Sequence, residues 1–93
     1  MRFQARAAAE VAEIDAWWRT HRDAGNLFAS ELAETLAVLA KAPDIGATGH
    51  DPALASVGRV LLRKTQYHVY FRVVADALEV LAVWHAKRQP PTL

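Results

Sequence analysis

V-G-R-V-L-L-R-K-T-Q-Y-H-V-Y-F-R-V-V-A-D-A-L-E-V-L-A-V-W-H-A-K-R, residues Val57 to Arg88, decides the fold of this 93-residue chain. β-branched and aromatic residues recur there with a period of two, which sends alternate side chains to opposite faces of a strand. Val57, Arg59, Leu61 and Arg63 alternate with Gly58, Val60, Leu62 and Lys64, so the arginines share one side. Tyr67, Val69, Phe71 and Val73 form the apolar side of the next strand, with His68, Tyr70 and Arg72 on the other. Asp76 marks a tight hairpin turn, and a last strand runs from about Leu78 to His85. Residues 57–86 therefore read as a three-stranded antiparallel sheet, and Pro90-Pro91 makes 87–93 an irregular tail.

Upstream, residues 42–56 hold Gly46, Gly49 and Pro52 without a usable period and read as a loop. Residues 6–41 read as two helices. Ala7, Val11, Ile14 and Trp18 recur at steps of four, three and four, and Phe28, Leu32, Leu36 and Leu39 at four, four and three, each set forming one face. Glu10, Glu13, Glu31 and Glu34 fall outside those stripes. Asp23-Ala24-Gly25-Asn26 supplies the turn, Asn26 stands as N-cap of the second helix, and Pro43 ends it. Trp17, Trp18 and Phe28 are expected in the core or the helix interface, and Trp84 in the core. Residues 1–5 add a short edge strand. The order β-α-α-β-β-β is an α+β domain, 1–93, with a helical hairpin packed on one face of a small antiparallel sheet. The other face is left free for Arg59, Arg63, Arg72 and one of His68 or His85.

The net charge of +1 conceals an asymmetry. Up to Ser56 the chain has five Lys and Arg against eight Asp and Glu, a balance of −3; from Val57 onward it has six against two, a balance of +4. A basic half suits nucleic acid or an acidic protein partner. The chain has no cysteine, which removes disulfides, thiolate metal sites and a Cys nucleophile, and fits a cytoplasmic setting. No apolar run approaches the roughly 20 residues of a membrane span. There is no Gly-rich phosphate loop, nucleophile elbow or paired-carboxylate motif, so neither a cofactor nor a metal is expected. His21 and His50 read as solvent-exposed.

The helical hairpin followed by V-x-R-V-L-L-R-K-T-x-Y-H-V-Y-F-R-V, an acidic turn and E-V-L-A-V-W-H-A-K-R resembles the RelE/ParE superfamily of bacterial type II toxin–antitoxin toxins. The resemblance covers essentially the whole chain and is most specific over Arg59–Arg72 and Val80–Arg88. It implies a toxin held in a hetero-oligomer by a cognate antitoxin, with Trp18, Phe28, Leu32 and Tyr70 as antitoxin contacts. It implies one of two targets: DNA gyrase, as for ParE-like members, or messenger RNA on the ribosome, as for RelE-like endonucleases. Arg59, Arg63, Lys64, Arg72, Lys87 and Arg88 are then the target-binding cations. A metal-independent nuclease would use His85 as acid or base and Arg63 and Arg72 on the phosphate. No second acid–base group is evident, and Gly58 stands where many relatives carry another Arg. The long hairpin and the H-x-x-R of His85 and Arg88 favour the gyrase target. A partner-binding module without activity is the third reading, and growth arrest on expression separates it from the other two.

Overall fold

The computed structural model describes residues 1–42, 47–48, 57–75 and 77–88. β1 (Arg2–Phe3) leads into α1 (Ala5–His21) and α2 (Leu27–Lys41), followed by β2 (Ala47–Thr48), β3 (Gly58–Leu62), β4 (Tyr67–Val74) and β5 (Ala77–His85). The strands form one sheet in the order β1-β5-β4-β3-β2. The antiparallel meander β3-β4-β5 lies where the alternation placed it. Two features differ from the expected antiparallel sheet. β1 runs parallel to β5, pairing Arg2 with Glu79 and Phe3 with Val80, so the sheet is mixed. The two strands are joined by the rest of the chain rather than by a hairpin, which leaves parallel pairing open. Within the stretch read as a loop, β2 pairs with β3 through Ala47–Arg59 and Thr48–Gly58. His50, Asp76 and residues 89–93 lie outside the described residues.

Both helical stripes meet one face of the sheet. Ala7, Phe28, Leu32, Leu36 and Leu39 are buried against Leu62, Val69, Phe71, Leu78, Val80 and Val83, with Val11, Ile14, Trp18 and Tyr67 packed around them. Burying such side chains contributes about 1.5–3 kcal/mol each, so the helices are held mainly by this face. Gly58 is part of the fit: a Cβ there would stand 2.5 Å from Cζ of Phe71, its cross-strand partner. The position therefore has no room for even a methyl group unless the Phe71 ring moves. Asn26 precedes α2 but makes no side-chain cap; its φ of −94° and ψ of 3° depart from the extended geometry of a capping residue.

Glu31 also departs from the sequence reading. Although off the apolar stripe, it is buried. Its carboxylate accepts hydrogen bonds from the backbone N–H of Lys64 (2.7 Å) and Thr65 (3.0 Å) and from the Thr65 hydroxyl (2.7 Å). One carboxylate of α2 thereby clasps the β3–β4 turn, where Gln66 adopts a φ of 67°.

The opposite face is not the open basic surface that the alternation suggested. Val57, Tyr70, Leu81 and Ala82 form a second buried cluster there, with Trp84 packed against it. Its composition follows from a bulge in β5. Tyr70 pairs with Ala82 while Phe71 pairs with Val80, so Leu81 is an extra residue. A bulge shifts the alternation by one. Leu78 and Val80 face the helices before it, and Val83 faces them after it.

Candidate functional site

Because of that shift, His85 lies on the helix side of the sheet, beside α1. It pairs across the ladder with Tyr67, and the two rings meet edge to face at 5.1 Å. Tyr67 is fixed from two directions: Trp18 Nε1 donates to its hydroxyl at 3.3 Å, and Phe28 packs edge-on at 5.2 Å. Past the strand the chain turns over its own histidine, with Lys87 N–H donating to His85 Nδ1 at 3.1 Å and Arg88 N–H to the His85 carbonyl at 3.0 Å. Nδ1 is therefore an acceptor, and in a neutral ring the proton sits on Nε2.

Two grooves meet at Trp17, Tyr67 and His85. The larger, about 540 Å³, adds Glu10, Glu13, Ile14, Val83, Trp84 and Arg88. The smaller, about 350 Å³, adds Trp18, Arg22, Lys64, Thr65, Gln66 and Lys87. Their electrostatics differ. At the first end Glu10 is committed: one oxygen accepts the Val83 N–H at 3.0 Å, closing the exposed edge of β5, and the other pairs with Arg6 at 3.3 Å. Glu13 has no ion-pair or hydrogen-bond partner among the described residues. The Arg88 guanidinium lies 3.8 Å from the centre of the Trp84 ring. At the second end Arg22, Lys64 and Lys87 converge, with Arg22 5.4 Å and 5.5 Å from the Trp17 and Trp18 rings. No carboxylate lines that end among the described residues. Trp17, expected in the core, is 42% exposed, with His21 stacked on it at 4.8 Å.

The residues named from the sequence are thus divided among separate places. Lys64, Lys87, Arg88 and His85 line the grooves. Arg63 is in the β3–β4 turn rather than in a strand, its carbonyl accepting from Gln66 Nε2. Arg72 projects from the other face of the sheet and pairs with Glu79 at 2.6 Å. It is five residues along β4 from Tyr67, about 17 Å at the rise of a strand. His85, Arg63 and Arg72 therefore do not form one site. Arg59 and His68 do share a face: burial, and then the Arg59 charge, hold the His68 pKa below its ordinary 6.5. Of the residues expected to contact an antitoxin, Phe28, Leu32 and Tyr70 are enclosed by the chain itself, while Trp18 lines the cationic groove. Glu10 and Glu13 were not foreseen at the site; only the β5 bulge, which carries no sequence signature, brings His85 to them.

Among the described residues no three His, Asp or Glu side chains are grouped to hold a metal, and no helix is long and apolar enough to cross a membrane. A family model described as the ParE toxin of the type II toxin–antitoxin system parDE matches residues 1–90. The chain belongs to the ParE toxin family. It is accordingly the toxin component of a type II toxin–antitoxin system. Its fold is similar to that of a chain from a chromosomal ParDE toxin–antitoxin system of P. aeruginosa (TM-score 0.74, 17% identity, covering 92% of this chain and 94% of that one). It is also similar to the isolated RelE toxin of E. coli (TM-score 0.66, 22% identity, covering 95% and 84%). No curated relative matches at a significant level.

Proposed function

We propose that this ParE-family toxin inhibits DNA gyrase and is neutralised by a cognate antitoxin. The observation that carries the choice of target is the separation of His85 from Arg72. A phosphoryl-transfer site needs its acid–base group and its phosphate-holding cations around one phosphorus atom. Here Arg72 is neutralised by Glu79 on the opposite face. An inhibitor that acts by binding needs cations on an accessible surface, and Lys64, Lys87 and Arg88 are exposed, as is Arg59 on the other face. Antitoxin contact is supported by family membership and by the ParDE system to which the fold is similar.

The test is plasmid supercoiling by purified gyrase with the toxin added, beside messenger RNA integrity in a translating extract. The expected result is loss of supercoiling with intact message. Cleaved message with unaffected supercoiling would overturn the proposal. The endonuclease reading draws on one observation, the groove that brings Glu13, His85 and Arg88 together. His85→Gln separates the two readings: it abolishes cleavage in a nuclease and leaves most of the inhibition in a gyrase poison.

A further inference from the structure

The smaller groove is lined by donors that have nothing in the chain to donate to. It forms where the β3–β4 turn meets the end of β5: Tyr67 pairs with His85, and one step further the Ala86 N–H donates to the Gln66 carbonyl at 2.8 Å. Lys87 follows directly, so it and Lys64 line the groove from the two sides of this junction. Arg22 joins them from the C-cap of α1, held 5.4 Å and 5.5 Å from the Trp17 and Trp18 rings. None of the three has an ion-pair partner among the described residues. The Glu31 carboxylate reaches the same turn but is taken up by the Lys64 and Thr65 N–H groups and the Thr65 hydroxyl, and it does not line the groove. Two neutral donors complete the set. The Tyr67 hydroxyl accepts from Trp18 Nε1 at 3.3 Å, which leaves its own proton to give, and His85, whose Nδ1 accepts from Lys87, carries its proton on Nε2. Neither proton meets an acceptor among the described residues. A half-buried donor without a partner is a cost that an incoming acceptor removes.

Three cations and two neutral donors, with no carboxylate on the walls among the described residues, fit an oxoanion. We propose that this groove binds a phosphate group carrying two or more charges, the terminal phosphate of a phosphomonoester or a pyrophosphate. A diester inside a nucleic-acid strand brings only one charge per phosphate. Its bases also find no free platform, because His21 and Arg22 occupy the Trp17 ring. The groove lies on the helix side of the sheet, away from Arg59, His68 and Arg72, and does not depend on which target the toxin poisons. Its failure and the failure of the gyrase reading are therefore told apart by separate assays.

Trp17 and Trp18 both line the groove, so their emission reports its occupancy. The full chain is titrated at low salt with inorganic pyrophosphate, with adenosine monophosphate and with pentathymidylate bearing hydroxyl ends. Saturable binding of the first two is expected, each about five-fold tighter than the diester, the discrimination available from one further exposed ion pair. Lys64→Gln and Lys87→Gln should each weaken pyrophosphate by about two- to five-fold, and Tyr67→Phe, which removes a donor without a charge, by about two- to ten-fold. Arg59→Gln makes the same change in net charge on the other face of the sheet and should leave the affinity unmoved. Where Tyr67→Phe perturbs the far-UV circular dichroism, the wild-type chain supplies the same information: the NMR signal of His85 Nε2–H should shift and exchange more slowly when pyrophosphate is added. No saturation at millimolar pyrophosphate would overturn the proposal. So would tightest binding of pentathymidylate, binding of adenosine monophosphate without pyrophosphate, an unmoved His85 signal, or a loss in Arg59→Gln equal to that in the lysine variants.

Discussion

Replacing Glu31 by alanine is expected to cost this chain a large part of its stability, although Glu31 lies outside the apolar stripe of α2. Its carboxylate accepts three hydrogen bonds at 2.7, 3.0 and 2.7 Å, and two of the donors belong to buried Thr65. A hydrogen bond to a charged group contributes about 1.5–3 kcal/mol, and a buried donor left without a partner costs about 1–3. Water reaches the exposed Lys64 backbone in the variant but reaches the Thr65 donors poorly. The three bonds also share one carboxylate and do not add. The expected loss is therefore about 3–4 kcal/mol, against a total of roughly 5–14 for a chain of this length. Glu31→Gln retains one carbonyl oxygen for Thr65 but turns an amide N–H toward Lys64, and should cost about 2 kcal/mol. Urea unfolding followed by circular dichroism measures both; with a slope on the order of 1.5 kcal/mol per molar, Glu31→Ala moves the midpoint by about 2 M. Glu34→Ala, an exposed carboxylate one turn away on the same helix, should stay within about 0.5 kcal/mol of the wild type. If Glu31→Ala and Glu34→Ala proved equally mild, the clasp would not be what holds the β3–β4 turn.

Gly58→Ala forces a Cβ into the Phe71 ring and should lower stability by about 1–3 kcal/mol, with part of the loss recovered when Phe71→Leu is added; full tolerance in a thermal melt would contradict the close approach. His68 binds its proton less readily in the fold than in the unfolded chain. Its contribution is complete above the unfolded value near 6.5 and falls away as pH drops from there through the lower folded value. NMR titration of its ring should show the midpoint moving back toward 6.5 in Arg59→Ala, and an unmoved midpoint would remove Arg59 as a cause. A double-mutant cycle on Arg72 and Glu79, whose side chains are 43% and 12% exposed, should return a coupling of about 1 kcal/mol after allowance for solvent screening. A coupling indistinguishable from zero would mean that Arg72 is free to serve elsewhere.

Much of the fold was legible because it rests on strong periodicities. The stripes Ala7-Val11-Ile14-Trp18 and Phe28-Leu32-Leu36-Leu39 and the alternation through Gly58–Leu62 and Tyr67–Phe71 all reappear as the buried face. What escaped was set by contacts between residues distant in sequence. Glu31 looked solvated because helix periodicity cannot reveal that a turn 33 residues away presents unpaired N–H groups to it. The parallel pairing of β1 depends on two residues with no pattern of their own. Trp17 and Trp18 are adjacent in sequence and so point to different parts of the helix surface, yet both were placed in the interior. Only Trp18 hydrogen-bonds to Tyr67, while Trp17 is left partly exposed where the two grooves meet.

The candidate site turned on a single residue. Had β5 continued without the bulge, the alternation that puts Leu78 and Val80 inward would have carried Trp84 inward and His85 outward, onto the face of Arg59, His68 and Arg72. A histidine among those side chains would have resembled a phosphate-cleaving site, as the sequence suggested. The extra residue at Leu81 exchanges the two. It turns Trp84 to the outer cluster and His85 toward α1, where Lys87 N–H occupies one ring nitrogen and a carboxylate-bearing helix supplies the opposite wall. Deleting Leu81 should reverse the exchange if the strand keeps its ends fixed. Because Leu81 is itself buried in the outer cluster, the deletion also removes core, and it is informative only where circular dichroism shows a folded chain. In that folded variant the edge-to-face contact of His85 with Tyr67 is lost, and NMR contacts between the His85 and Tyr67 rings should disappear. Persistence of those contacts would mean that the C-terminal turn over His85, rather than the bulge, determines which face the histidine serves.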